Sequence, residues 1–333
     1  MIDNPLVSII TPYFNRYELM EQTMESVKNQ SFSRWEHLVI DDGSTDDSYL
    51  MIEKYIKQDD RIKLFKRERN PKGASTCRNI GLENASGEYV IFLDSDDLLD
   101  KECLKTRYSV MKRNPSLDFS VFMMQFFNDH PGDSKTLFYY NHGPDHIFNS
   151  LLRGSQWGIT CPIWRKEAID KIGYFIEGLL ILEDWELHLR ALINGLKFKK
   201  YEDIIDCYCR QERRNNLTEQ YFTPEFLISR VDLFPHVHSQ LESNNKLGEY
   251  RYPLAGKFLQ LAGMFNEKGM ISYRNETWVR CKELGIISRV TWVVGICYLF
   301  VRRILRGSDN SLRNRIARRI FALFVPKYVI WSY

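Results

Sequence analysis

Residues 89–100 read YVIFLDSDDLLD, an apolar run that ends abruptly in Asp94, Asp96 and Asp97. Carboxylates a few ångströms apart repel one another unless a cation neutralises them or one keeps its proton. On an extended strand end, Asp94 and Asp96 point the same way, toward one ion. Hard carboxylate oxygens suit Mg2+ or Mn2+, ions that also bridge to substrate phosphates. The same residues read equally well as a helix start, with Ser95 or Asp96 capping a helix near Leu98.

Other residues carry a similar choice. Arg78, in the first turn of a helix beside Gly73, is placed to meet phosphate, or to form a surface ion pair with Glu83 or Glu88. Asp41, Asp42 and Asp46 are turn and cap residues, or, for Asp42, a ligand contact. Glu183-Asp184 opens a helical pattern, where an acid is favoured by the helix dipole whether or not it does chemistry. Trp157 and Trp185 could stack on a sugar; Trp185, on the apolar face of its helix, reads as core.

The elements that must position these groups alternate. Val7–Ile10, His37–Ile40, Ile62–Phe65 and Tyr89–Leu93 are strand-like, with helical patterns over 18–30, from a Ser44 or Thr45 cap to Lys57, and over 75–85. Such alternation predicts a mostly parallel sheet with flanking helices, and ligands bind beyond the carboxyl ends of its strands. Thr11 to Asn15, Asp41-Asp42 and Asp94 to Asp97 all fall there. Beyond residue 100 the pattern predicts a helix over 100–113, a long strand over 117–127, a polar loop over 128–144, a helix from Glu183 to a Gly195 cap, and strands over 197–201 and 204–209. Residues 220–285 read as mainly helical.

VSIITPYFNRYELMEQTMESVKNQSFSRWEHLVIDDGSTDDS, NPKGASTCRNIGLENASGEYVIFLDSDDLLD and GYFIEGLLILEDWELHLRALINGLKF resemble, in order and spacing, the family 2 inverting glycosyltransferases of GT-A fold, over roughly residues 5–200. With the patterning beyond it, the resemblance divides the chain into an α/β catalytic domain over 1–215, followed by a helical extension over 216–285 and a basic tail over 286–333 that the residue pattern alone predicts. It implies that Asp94-Ser95-Asp96 is a DxD motif, with Asp96 and Asp94 on Mn2+ or Mg2+ at the donor diphosphate. Thr11, Pro12, Tyr13, Asn15 and Asp42 would meet the nucleotide, and Arg78 and Lys72 the diphosphate. Asp184 becomes the general base, with Glu183, Trp157 and Trp185 toward the acceptor. The activity implied is transfer of one sugar, from a nucleotide-sugar of UDP type, to a saccharide or glycolipid acceptor in surface polysaccharide synthesis. Absence of a QxxRW motif favours single transfer over polymerisation. CRQERRNNLTEQ lacks the His often found in the loop over the diphosphate, leaving Arg210, Arg213 or Arg214 for that task. A catalytically lapsed nucleotide-sugar or membrane-binding protein is the alternative, opposed by the intact Asp96 and Asp184. A dinucleotide oxidoreductase is excluded, because TPYFNR contains no glycine.

The 333-residue chain is 44% hydrophobic and 27% charged, enough to bury a full core. Its net charge of +3 hides an asymmetry: residues 286–333 hold nine Lys and Arg against Asp309 alone. Leu312, Ile316, Ile320 and Leu323 fall on one helical stripe, with Arg315, Arg318 and Arg319 largely off it. This pattern predicts contact with an anionic membrane surface rather than nucleic acid, or docking on the catalytic domain or a second subunit. The apolar stretch Val290–Val301 is 12 residues long, short of the ~20 that span a bilayer. Seven scattered cysteines without CxxC, and a start without a basic-then-apolar leader, predict reduced thiols in a cytoplasmic protein, peripheral on the inner face of the plasma membrane.

Overall fold

A computed structural model describes residues 6–138, 143–211, 222–305, 315 and 319–329. The first four apolar runs form β1 (Val7–Tyr13), β2 (Trp35–Asp41), β3 (Ile62–Lys66) and β4 (Tyr89–Phe92), joined by α1 (Tyr17–Lys28), α2 (Ser48–Ile56) and α3 (Ala74–Asn84). β1 pairs in parallel with β2 and with β4, and β2 with β3. β1, β2 and β4 are buried along their whole length, as parallel strands covered on both faces must be. Met20, Met24 and Val27, at helical spacing on α1, supply part of that cover.

The sheet continues through β5 (Leu98–Leu99), α4 (Cys103–Arg113), β6 (Phe119–Phe127), β7 (Leu137–Phe138), α5 (His146–Arg153), β8 (Pro162–Arg165), α6 (Lys166–Ile172), α7 (Glu183–Ile193) and β9 (Phe198–Arg210). Its order is β3-β2-β1-β4-β8-β6-β9-β5, with β7 paired to β6. β8 runs antiparallel to β4 and β6, so the sheet is mixed beyond its parallel half. This is the mixed α/β GT-A-like architecture.

Three local expectations change. The two strands expected over 197–209 are one strand, because the register shift between Phe122 and Met123 lets β9 bulge past Glu202 and Asp203 without breaking. The loop expected over 128–144 contains β7. Ser44 and Thr45 do not cap α2: Asp41 Oδ1 accepts from Gly43 N and Ser44 N, folding these residues into a turn, and the helix starts at Ser48.

The chain divides into two units. The first is Met1–Asn141, Gln156–Leu187 and Gly195–Asn215; the second is His142–Ser155, His188–Asn194 and Asn216–Tyr333. In the second unit, α8 (Pro224–Ile228), α9 (Leu233–Ser243), α10 (Leu247–Glu267), α11 (Ile271–Glu283) and α12 (Arg289–Leu305) follow one another. α10 is its centre, packing on α5, α8, α9, α11 and α12 through buried Leu254, Phe258, Leu261 and Phe265. Leu312, Ile316 and Arg318 of the expected amphipathic stripe lie outside the described residues. The described cysteines are free thiols, and no helix among the described residues is long and apolar enough to cross a membrane.

Candidate active site

Strand register gathers the loops at the carboxyl ends of β1, β2 and β4. Asp41 pairs with Lys66, which brings the next residue of each strand, Asp42 and Arg67, together. Arg67 Nε donates to Asp42 Oδ1, and Gly73 N reaches the same oxygen at 3.2 Å. Gly73 holds φ +139°, a conformation a side chain would strain, so the glycine is what lets this backbone come close. Asn15, at φ +51°, clamps the first loop to the second: its Oδ1 accepts from Thr45 N at 2.8 Å and its own N donates to Ser44 Oγ at 3.0 Å.

Thr11, Pro12 and Tyr13 lie inside β1, not in the loop beyond it. Thr11 is fully buried and bonded to His37 Nε2 at 2.9 Å; Tyr13 is 2% exposed, and burial, then Asp41, pushes its phenol up. The loop's exposed aromatic ring is Phe14, with Lys72 Nζ 3.3 Å from its centroid. Sequence reasoning named Lys72 but missed Phe14 and Arg67.

The acidic run is a turn, not a strand end. Asp97 N donates to Asp94 O at 3.1 Å, and Leu98–Leu99 pairs with Tyr208 and Cys207 of β9. This corrects two expectations: the extended Asp94/Asp96 geometry, and the helix that Ser95 or Asp96 was to cap. Asp97 is 4% exposed and accepts from Thr160 Oγ1 and Arg210 N, each at 3.3 Å. Burial, then the charges on Asp96 and Asp94, pushes its carboxyl well above the ordinary range and favours the neutral acid. The run thereby lowers its own repulsion. Asp94 and Asp96 remain partly exposed, Asp94 bonded to Arg78 at 2.7 Å and Asp96 paired with Arg16 at 3.8 Å. Ser95 lies between them, 8% exposed. A buried pair steadies the adjoining strand: Arg107 grips Asp206 through two nitrogens and donates to Thr160 O.

Arg78 is 3% exposed and forms no ion pair with Glu83 or Glu88, which bind Arg69 and Arg165. One arm donates to Asp94 at 2.7 Å and the other to Glu183 at 2.9 Å. The guanidinium therefore joins the acidic turn to the first residue of α7. α3 fixes that approach a second time: Asn79 exchanges hydrogen bonds with Phe175 N and O, and its Nδ2 donates to Glu177 Oε1 at 3.0 Å. Leu182, immediately before α7, holds φ +67°, a costly conformation for a branched residue.

Asp184 follows, half-buried, its Oδ1 accepting from Trp185 N at 2.6 Å. Burial, then the Glu183 charge, raises its pKa from 3.8 to about 7, with Arg78 opposing. A carboxyl titrating there is matched to proton abstraction near neutrality. Trp185 is 2% exposed and core. Trp157 corrects an expectation: also 2% exposed, its ring packs 5.5 Å from Phe198 and 6.2 Å from Phe119, leaving no face for a sugar. Arg210 donates to Gln22 and Asn128 O, and Arg213 and Arg214 lie outside the described residues.

Arg78 thus joins a turn with two partly exposed carboxylates to α7, where the Asp184 carboxyl is raised to about 7. Residues 8–170 match Glycosyl transferase family 2, and the chain carries a domain of that family. Among curated relatives, TuaG of Bacillus subtilis, named for teichuronic acid biosynthesis, is 37% identical over 167 residues, 49% of this chain and 64% of its own. TarS of Staphylococcus aureus, a poly(ribitol-phosphate) β-N-acetylglucosaminyltransferase, is 27% identical over 244 residues, 72% of this chain and 42% of its own. The chain thus spans less than two thirds of these relatives. Of solved structures, residues 1–349 of S. aureus TarS in complex with UDP-GlcNAc superpose with TM-score 0.57 at 19% identity, covering 98% of this chain and 89% of that one. The mannosyltransferase PcManGT of Pyrobaculum calidifontis, in complex with GDP-Man and Mn2+, gives 0.50 at 15% identity, covering 99% and 86%. These likenesses establish the shared fold.

Proposed function

We propose that this protein is an inverting glycosyltransferase that moves one sugar from a nucleotide-sugar, of UDP type, to a saccharide or lipid-linked saccharide acceptor in surface polysaccharide synthesis. The carrying observation is the Arg78 bridge, which couples Asp94 and Glu183 at 2.7 and 2.9 Å and so ties the donor turn to the residue before the base.

Asp184 takes the proton of the acceptor hydroxyl as that oxygen attacks the anomeric carbon from the face opposite the leaving diphosphate. One displacement inverts the centre. Asp42, Asn15 and the exposed Phe14 face the nucleotide, and Lys72 the phosphates. Arg78 acts by orientation: bound on both sides, it holds Asp94 in place and limits how far Glu183 can raise the Asp184 pKa.

A divalent cation fits the residues present. Among the described residues no cluster of three or more His, Cys, Asp or Glu could hold one, but Mg2+ and Mn2+ sites at phosphates commonly use one or two carboxylates and leave the rest to the substrate. Asp94 and Asp96 are that pair, and the bound ion would neutralise charge growing on the diphosphate. The donor in the TarS complex supports UDP, and the Mn2+ of PcManGT supports the metal.

Titrating UDP with and without Mn2+ against wild type and Asp96→Ala tests the reading. Metal should strengthen UDP binding to wild type and not to the variant. Equal affinity in all four measurements removes the metal role, and failure to transfer sugar from any nucleotide-sugar in a donor screen removes the enzyme.

A further inference from the structure

α12 has two faces of different character. Inward, Thr291, Gly295, Tyr298 and Leu299 are buried. Gly295 is required by close approach: a Cβ there would lie 2.3 Å from the Trp278 ring, whose Nε1 donates to Trp292 O at 2.9 Å. Outward, Val290, Val293, Ile296, Phe300 and Ile304 are 69%, 51%, 39%, 59% and 65% exposed. Their spacing of three and four residues lays them along one stripe. Arg289 and Arg303 are exposed at its two ends, and α12 contains no acid. A solvated helix face normally carries polar side chains; a continuous apolar stripe marks a surface that is covered in the working protein.

Beside the stripe, α11 and α12 enclose a cavity of about 260 Å³, lined by Arg274, Trp278, Trp292, Ile296 and Leu299 among others. It is an apolar slot with a cation at its wall. Arg274 donates to the amide oxygens of Asn266 and Asn275. Burial, then the nearby Arg303 charge, pulls this guanidinium below its ordinary value. Two arginines drawn together in this way favour an anion that neutralises both. The same unit exposes a second apolar group, Ile320, Leu323 and Phe324, with Arg315 and Arg319 also exposed. Phe321, in contact with the Tyr298 ring at 5.5 Å, fixes that group against α12.

We propose that the outer face of α12 seats the protein on an anionic lipid bilayer, its apolar stripe in the headgroup–acyl boundary, Arg274 and Arg303 on lipid phosphates, and an acyl chain end in the adjoining cavity. Charge selects this occupant. A second copy docked through the same face would set two acid-free α12 helices, each with Arg289 and Arg303 at its ends, against each other, whereas anionic lipid supplies the counter-charge. The buried inner face selects the orientation: with Thr291, Gly295, Tyr298 and Leu299 packed against protein, only the outer stripe can enter lipid, and α12 lies in the interface plane.

The experiment is flotation of the full chain with vesicles of phosphatidylcholine alone or mixed with phosphatidylglycerol, followed by Phe300→Ser/Ile304→Ser and, separately, Arg303→Gln. Wild type should float with anionic vesicles only. The apolar double variant should bind on the order of a hundredfold more weakly, as two buried side chains are lost, and the arginine variant about fivefold. All substituted side chains are exposed, so unchanged circular dichroism and donor hydrolysis should accompany the loss. Millimolar inorganic phosphate should not release the wild type; release by phosphate would show an anion site without a bilayer. Absence of wild-type binding, unchanged binding by the double variant, or concentration-dependent self-association abolished by the same substitutions would each overturn the proposal.

Discussion

Replacing Asp184 by Asn separates the chemical role of this carboxyl from its structural cost. In the folded chain its pKa is raised from 3.8 to about 7. Between those values the folded state holds a proton that the unfolded state has released, so stability contributed at low pH is lost as pH rises through this window. Each pKa unit corresponds to about 1.4 kcal/mol, giving an upper bound of about 4 kcal/mol for the ionised group. Asp184 is half-buried, and screening by water reduces the realised penalty to about 1–2 kcal/mol. Asn carries no charge to strand, so Asp184→Asn should be more stable than wild type by that amount near pH 8 and indistinguishable near pH 4. Turnover should fall by about 10²–10⁴, with donor affinity retained. Urea melts at the two pH values, UDP calorimetry and a transfer assay read the three outcomes. Wild-type kcat should also rise with pH up to about 7 and then level. An active variant would falsify the role as base; a variant no more stable than wild type at high pH would refute the electrostatic account.

Four further outcomes follow from named contacts. Arg78→Met leaves Asp94 and Glu183 without their shared cation and should cost about 3–5 kcal/mol, read by thermal denaturation, with weaker UDP binding. Arg78→Lys should restore part of the stability but little turnover, since an ammonium cannot place a planar fork on two carboxylates. Trp157→Ala should destabilise by about 3–5 kcal/mol as a core truncation, while the acceptor KM at low temperature stays unchanged; a selective rise in KM would return Trp157 to the acceptor site. Acid should unfold the chain through His37, whose pKa burial pushes down to about 3. Below about pH 6.5 the unfolded chain takes up a proton that the folded one refuses, so stability should fall by up to about 1.4 kcal/mol per pH unit, and His37→Gln should flatten that slope.

The parallel half of the sheet is legible because its signals are local. Apolar runs of strand length, each followed by helical periodicity, place β1 to β4 and their loops, and the loops carry Asp42, Asp94 and Asp96. The meaning of the acidic run is not local. Asp97 is buried by β9 and by Thr160, partners 113 and 63 residues away, so nothing near it in sequence signals that it favours its neutral form. Arg78 behaves in the same way: its partners lie 16 and 105 residues off, while the acids nearest in sequence, Glu83 and Glu88, are taken by other arginines. Arg67 was the recoverable case. It follows β3 by one residue, as Asp42 follows β2, and parallel register alone brings the two together.

The same distinction explains which side chains moved between roles. Residues assigned from loop position divide: Asn15 and Lys72 lie beyond the strand ends, whereas Thr11, Pro12 and Tyr13 are drawn into β1 by its pairing with β2. Residues assigned from side-chain type, such as Trp157, depend on what packs against them, and Phe119 and Phe198 decide that. A flat apolar ring lowers the free energy about as well in a core as on a sugar, so type alone does not select between them. A carboxyl differs: ionised burial is costly unless something compensates it. Asp94 is compensated by Arg78, Asp97 is driven toward its neutral form, and Asp184 is raised to about 7. These three acids sit in three electrostatic states, set by what each packs against rather than by residue type, which is the same in all three.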